Sequence, residues 1–179
     1  MENVLKKYAK NPPDILTVSS GCSVDGIIKL SKLLPKTKLA MVSLLTDISK
    51  EECNYRFRVN PEEKIYTDIM VIRSFDLPKR AGTYFFEPFD FIVCSPFELP
   101  LLNQRLSASF DFIVPGIRDE WMKKKDEHQK RTTGVKRAIE LGANLIVMGA
   151  QLTKGNPEMG ITPEESCRLT IEQIEKADL

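Results

Sequence analysis

The sequence predicts an α/β fold with five parallel strands, and three observations carry that prediction. Five short apolar runs are rich in β-branched and aromatic residues. The runs are continuously rather than alternately apolar, as in strands covered on both faces by helices. Helix-type punctuation falls in the long intervals between them, where a hairpin would need only a few residues and a helical crossover needs many.

The runs are Ile15–Ser19 (ILTVS), Leu39–Leu45 (LAMVSLL), Phe91–Cys94 (FIVC), Phe112–Val114 (FIV) and Leu145–Met148 (LIVM). Between the first two, Val24–Leu34 reads as a helix stopped by Pro35. Asn60-Pro61-Glu62-Glu63, Ser95-Pro96-Phe97-Glu98 and Thr162-Pro163-Glu164-Glu165 share one helix-opening pattern. Each has an N-cap residue, Pro at the first helical position and Glu at the third, the makings of a capping box. Pro100 lies a turn inside the helix begun at Ser95 and predicts a kinked or short helix there. Gly134–Leu141 reads as a helix with Val135, Ala138 and Ile139 inward and Gly142 at its end. In the C-terminal helix, Cys167, Ile171 and Ile174 predict one apolar face. Residues 74–90 show no clear period and read as a long functional loop or an irregular helix.

A weak internal repeat supports successive equivalent strands. Phe89-Asp90-Phe91-Ile92-Val93 recurs as Phe110-Asp111-Phe112-Ile113-Val114, with Asn144-Leu145-Ile146-Val147 as a looser copy. Such units suit a β/α architecture. A flavodoxin-like open sheet satisfies the pattern as well as a barrel does, and periodicity does not choose between them.

Composition bounds the function. The chain has 179 residues, with 26 Lys+Arg against 25 Asp+Glu for a formal charge of +1. With 42% hydrophobic and 28% charged residues, it reads as a single globular domain spanning 1–179. A near-neutral balance argues against nucleic-acid binding by phosphate neutralisation and against a polybasic membrane-surface protein. No apolar run approaches the roughly 18–20 residues of a membrane helix. The opening MENVLKKYAKNPPD lacks an apolar signal core, so a cytoplasmic location is expected. Cys22, Cys53, Cys94 and Cys167 lie far apart without metal-ligand spacing, so reduced, mostly buried thiols and no metal site are expected.

In α/β folds chemistry collects in loops at the C-terminal ends of strands. Thr46-Asp47 follows the second run, Pro115-Gly116-Ile117-Arg118 the fourth and Gly149-Ala150-Gln151 the fifth. After Arg118 a charged stretch runs to Arg131, with Lys123-Lys124-Lys125, His128, Gln129 and Lys130. It reads as a phosphate-binding segment or lid, and equally as a solvated surface loop. His128, the single histidine, reads as exposed rather than catalytic.

The order VCSPFELPLLNQRL, FIVPGIR, HQKR, LGANLIVMGAQLT resembles the C-terminal half of the orotidine 5′-phosphate decarboxylase family. Upstream, PDILTVSSGCS and KLAMVSLLTDI resemble that family's fourth and fifth strands. The resemblance implies a partial (β/α)8 TIM barrel of the ribulose-phosphate-binding type, its first three βα units missing from this chain. It implies a homodimer, a nucleotide monophosphate as small-molecule ligand, and a reaction needing no metal or organic cofactor. Carried over residue by residue, Thr46 matches a position contacting the pyrimidine. Arg118 and Gln129 match substrate-binding residues after the seventh barrel strand. Gly149 matches the glycine whose backbone N–H helps hold the phosphate after the eighth, with Ala150 beside it.

Two departures qualify what the resemblance implies. Ala150 stands where the family normally carries Arg, and losing that guanidinium removes a charge-assisted hydrogen bond worth roughly 1.5–3 kcal/mol. Lys154, four residues on, offers a point charge without the planar fork. More seriously, a carbanion at the pyrimidine needs a nearby ammonium to stabilise and protonate it. The family supplies that lysine in a D-x-K-x-x-D motif on its third strand, and this chain contains no D-x-K triplet. No catalytic residue is therefore assigned, and the chain by itself is expected to be inactive. Five strands of a barrel would also leave open edges and uncovered interior side chains. The chain is expected to dimerise through the open side, to flatten, or to be poorly soluble.

Overall fold

In the computed structural model each of the five apolar runs is a strand. The structure describes residues 9–19, 22–43, 51, 52, 55, 89–106 (backbone only at 105 and 106), 110–122 and 132–177. The strands are β1 (Ile15–Ser19), β2 (Lys38–Val42), β3 (Phe91–Val93), β4 (Asp111–Val114) and β5 (Leu145–Ile146). All pairings are parallel, and spatial order follows chain order, β1-β2-β3-β4-β5. A flavodoxin-like sheet would set its first strand between the second and third. The sequential order removes that alternative and is the order of neighbouring strands in a barrel wall.

Register shows how the repeated pentapeptide builds this wall. Ile92 pairs with Phe112, and Ile113 with Leu145. Each copy of the repeat is thus displaced by one residue along its neighbour. A (β/α)8 barrel has a shear of about 8 over its strands, an average of about one residue per strand. The stagger is that of a barrel. Since side chains alternate between faces, a one-residue displacement turns equivalent residues to opposite sides. Phe91 packs with Ala40, Val93 and Ile113 on one face, while Phe112 joins the larger core on the other.

The larger core lies between the sheet and its helices, α1 (Val24–Leu33), α2 (Leu99–Leu106), α3 (Val135–Glu140), α4 (Ala150–Lys154) and α5 (Pro163–Glu175). Val18, Leu39, Met41, Ile92, Phe112 and Val114 from the strands meet Ile27, Leu30, Leu99, Leu102, Val135 and Ala138. The polar residue before a strand clips the preceding one. Leu39 N–H donates to Asp90 Oδ2 at 3.0 Å, and Phe112 N–H donates to Asn144 Oδ1 at 2.8 Å. These bonds pair amides next to the start of each ladder, where they would otherwise compete for water.

The helix punctuation works, with corrections. Ser23 caps α1 by accepting from Gly26 N–H, and the helix stops before Pro35 as its sequence predicts. Thr162 caps α5 by accepting from Glu165 N–H at 3.2 Å, with Pro163 in the first turn. Thr162→Ala should cost about 1 kcal/mol in a denaturant titration, the usual worth of an N-cap hydroxyl. At Ser95 the box closes reciprocally: Ser95 N–H donates to Glu98 Oε2 and Phe97 N–H to Ser95 Oγ. Residues 96–98 nevertheless form a turn, and the helix proper starts at Leu99. Pro100 therefore lies in the first turn, where no helical amide bond is lost, and α2 is short, at eight residues. The Asn60 pattern lies outside the described residues.

The apolar face expected of α5 is not the face it buries. Cys167 is exposed and Ile171 is 55% exposed, whereas Ser166 and Thr170 are buried; of the expected stripe only Ile174 packs on the core. The reason is that α5 lies against α4, whose buried residue is the polar Gln151. On the outer face, Arg168 bridges Glu165 and Glu172, and its guanidinium holds the Glu165 carboxyl below the usual carboxylate range. Exposed pairs of this kind contribute little. No disulfide joins Cys22, Cys94 and Cys167; Cys94 is buried, but Cys167 is not. Among the described residues no helix is long and apolar enough to cross a membrane.

Candidate functional site

The chain leaves β4 through Pro115 and the left-handed Gly116, whose φ of 78° is cheap only for glycine. It then pairs in parallel with a later residue. Arg118 N–H donates to Thr133 O at 2.8 Å, and Thr133 N–H donates to Gly116 O at 3.2 Å, around an Ile117–Thr133 bridge. Both ends of the polar stretch are thereby pinned at the C-terminal end of β4. Arg118 itself is half-buried at this pinned neck. A short 3₁₀ turn, Glu120–Met122, follows.

A buried polar network ties this loop to α4 and α5. Asp119 N–H donates to Gln151 Oε1 at 3.0 Å, and Gln151 Nε2 donates back to Asp119 Oδ2 at 2.8 Å. The other carboxylate oxygen, Asp119 Oδ1, accepts from Val135 N–H at 3.1 Å. Gln151 Nε2 also donates to Thr170 Oγ1 at 3.2 Å, and Ser166 Oγ donates to Gln151 O at 2.5 Å. Asp119 is 8% exposed and Gln151 1%. Each buried polar group of the pair is satisfied, which such a network requires if it is to fix a structure. A second tether runs from Asn156 Nδ2 to Trp121 O.

Of the positions expected to touch ligand, Arg118, Gly149 and Ala150 are brought to the same end of the sheet. Arg118 adjoins Asp119, and Ala150 adjoins Gln151, so the paired side chains set the two loops side by side. Gly149 is exposed, and a Cβ built on it would meet nothing within 4 Å. Protein packing therefore does not demand glycine there. Ala150 is half-buried at the first position of α4, and Lys154 is exposed at its last. Thr46, His128 and Gln129 lie outside the described residues. Among the described residues no cluster of three or more His, Cys, Asp or Glu gathers as a metal site.

No protein-family model matches the chain. Individual proteins do. The orotidine 5′-phosphate decarboxylase of Staphylococcus haemolyticus is 30% identical over 164 residues, covering 88% of this chain and 65% of that protein. The enzyme of that name from Staphylococcus aureus strain Newman is 30% identical over 158 residues, covering 85% of this chain and 63% of its own length. This chain is a homologue of the orotidine 5′-phosphate decarboxylases. It spans a little under two thirds of the length of these relatives. The fold agrees: the orotidine 5′-phosphate decarboxylase of Lactobacillus acidophilus superposes with a TM-score of 0.66 at 21% identity, over 96% of this chain and 67% of that one. A putative orotidine-monophosphate-decarboxylase from Plasmodium yoelii gives a TM-score of 0.64 at 14% identity. A five-stranded parallel sheet with helices is therefore a stretch of the TIM-barrel wall of the orotidine 5′-phosphate decarboxylase fold.

Sequence reading did not name Asp119 and gave Gln151, named only within the loop after the fifth run, no role; these residues unite the two loops of this decarboxylase homologue. The one available signal was positional. Each immediately follows a position expected to hold ligand, and each is polar where α/β packing would accept an apolar residue.

Proposed function

We propose that the chain carries the phosphate side of an orotidine 5′-phosphate decarboxylase-type site and binds a nucleoside monophosphate, with Arg118 and the main chain at Gly149–Ala150 against the phosphate. The observation supporting this reading most strongly is the joining of the Arg118 loop to the start of α4 by the Asp119–Gln151 pair. A half-buried arginine in a loop tied to the one that carries an open glycine suits a dianion, because Arg supplies planar charge-assisted donors. On this reading Thr46 would serve the pyrimidine and Gln129 the substrate, as the positions they match in the family do.

Decarboxylation is a separate matter. It needs an ammonium beside the pyrimidine, and the 179 residues contain no D-x-K triplet to supply one. The polypeptide alone should bind without turnover. Following orotidine monophosphate absorbance tests this. No loss is expected; turnover abolished by Arg118→Ala would overturn it.

The reading also takes residues 1–179 as one cytoplasmic domain that forms a homodimer. Ile15, Leu145 and Val147, on or beside the outermost strands, are 37%, 43% and 50% exposed, apolar surface that a partner would cover. Sedimentation should give a dimer, and a compact, stable monomer at micromolar concentration would contradict this.

A further inference from the structure

We propose that Asp119 and Gln151 form a latch that positions the Arg118 loop for an anionic phosphomonoester, and so set its affinity without touching it. This rests on the nucleotide-binding reading above.

The geometry is that of a closed ring. Asp119 offers a donor and an acceptor, its N–H and Oδ2, and Gln151 offers the complementary Oε1 and Nε2. The remaining groups are spoken for by Val135 N–H and Thr170 Oγ1. Even the neighbouring backbone is shaped for it: a Cβ on Gly134 would come within 3.0 Å of Asp119 Oδ1. The ring fixes the main chain one residue beyond Arg118 against the main chain one residue beyond Ala150. α4 has only five residues and would not hold its start in place unaided. The Asn156 tether to Trp121 O restrains the same loop three residues beyond Arg118.

Electrostatics makes the latch testable. Asp119 puts a buried negative charge next to a site read as binding a dianion, which by itself opposes binding. Asp119→Asn removes that charge, and alone this would tighten binding. It also sets an amide N–H₂ against Gln151 Nε2 or, with the Asn amide turned over, against Val135 N–H, so in either orientation two donors meet and the network around the ring is broken. Rotating the Gln151 amide does not help, because its N–H₂ would then meet Asp119 N–H. Pairing Asp119→Asn with Gln151→Glu restores an acceptor opposite both donors.

The experiment is titration calorimetry with uridine monophosphate on wild type, Asp119→Asn, Gln151→Glu and the double variant, alongside thermal melts. The latch predicts about tenfold weaker binding for Asp119→Asn, in spite of the lost negative charge, and recovery to within about threefold in the double variant. Equal or tighter binding by Asp119→Asn overturns the latch, as does a lowered melting temperature with unchanged affinity. If the single variants fail to fold, Gly134→Ala keeps every polar group and only crowds Asp119 Oδ1. Weaker binding supports the latch, and unchanged affinity overturns it. Absence of binding by wild type instead overturns the nucleotide-binding reading, and the latch with it, and is distinguished by needing no variant.

Discussion

Gly155→Ala should destabilise the protein by about 3 kcal/mol or more. Gly155 is buried with φ 61° and ψ −154°, a region open to little but glycine. A Cβ there would lie 2.3 Å from Ile161 O and 2.7 Å from Thr162 C, both backbone atoms that no rotamer change can move. The contact cannot relax cheaply, because Asn156 and Ile161 exchange two backbone bonds of 2.8 and 2.9 Å across the turn. Gly160 is the internal control. Its φ is 68°, but a Cβ would meet nothing within 4 Å, so Gly160→Ala should carry only the left-handed penalty of roughly 1–2 kcal/mol. Urea midpoints of the two variants measure the difference. Equal losses would mean that conformation, and not close approach, governs both. Since Asn156 also tethers Trp121, the Gly155 turn helps hold the candidate site as well as the fold.

Phe112→Ala should cost about 3–5 kcal/mol, the range for emptying a buried aromatic site. Phe112 is 1% exposed within the core between sheet and helices, and its amide is fixed by Asn144. Phe91→Ala is the informative comparison, since both residues occupy the same place in the repeated FDFIV. Phe91 lies on the other face, in a smaller cluster, with the Lys38 ammonium 5.5 Å from its ring centre. Its loss should cost less. Equal losses in a denaturant titration would argue that the two faces are equally well packed.

These two phenylalanines also show how far the sequence could be read. Continuous hydrophobicity located all five strands, because strands covered on both faces need apolar side chains throughout. Several ends were misjudged. The third run was expected to reach Cys94 and the fifth Met148, whereas the strands stop at Val93 and Ile146. Single bonds from Cys94 N–H to Ile113 O and from Val147 N–H to Val114 O continue the ladder beyond those ends. What periodicity could not supply was strand order. Two identical pentapeptides facing opposite ways follow from a one-residue stagger, and stagger belongs to pairing, which no local pattern records.

The same limit applies to the site. Arg118 and Gly149 were legible because motifs and strand-end position mark them. Asp119 and Gln151 were not, since they meet across an interval of 32 residues, and a place beside an expected ligand position does not reveal that they pair. The face of α5 failed for a related reason. Cys167 and Ile171 make a plausible apolar stripe in isolation, but Gln151 needs Thr170 and Ser166, and that need turned the helix.

Calorimetric titration of the wild-type chain with uridine monophosphate tests the central claim most directly, that the loops after β4 and β5 form the phosphate side of a nucleotide site. Saturable heat below millimolar ligand is expected, with Arg118→Ala weakening it by about ten- to a hundredfold, the worth of one charge-assisted hydrogen bond. No heat at millimolar ligand, or an affinity indifferent to Arg118→Ala, would contradict the account.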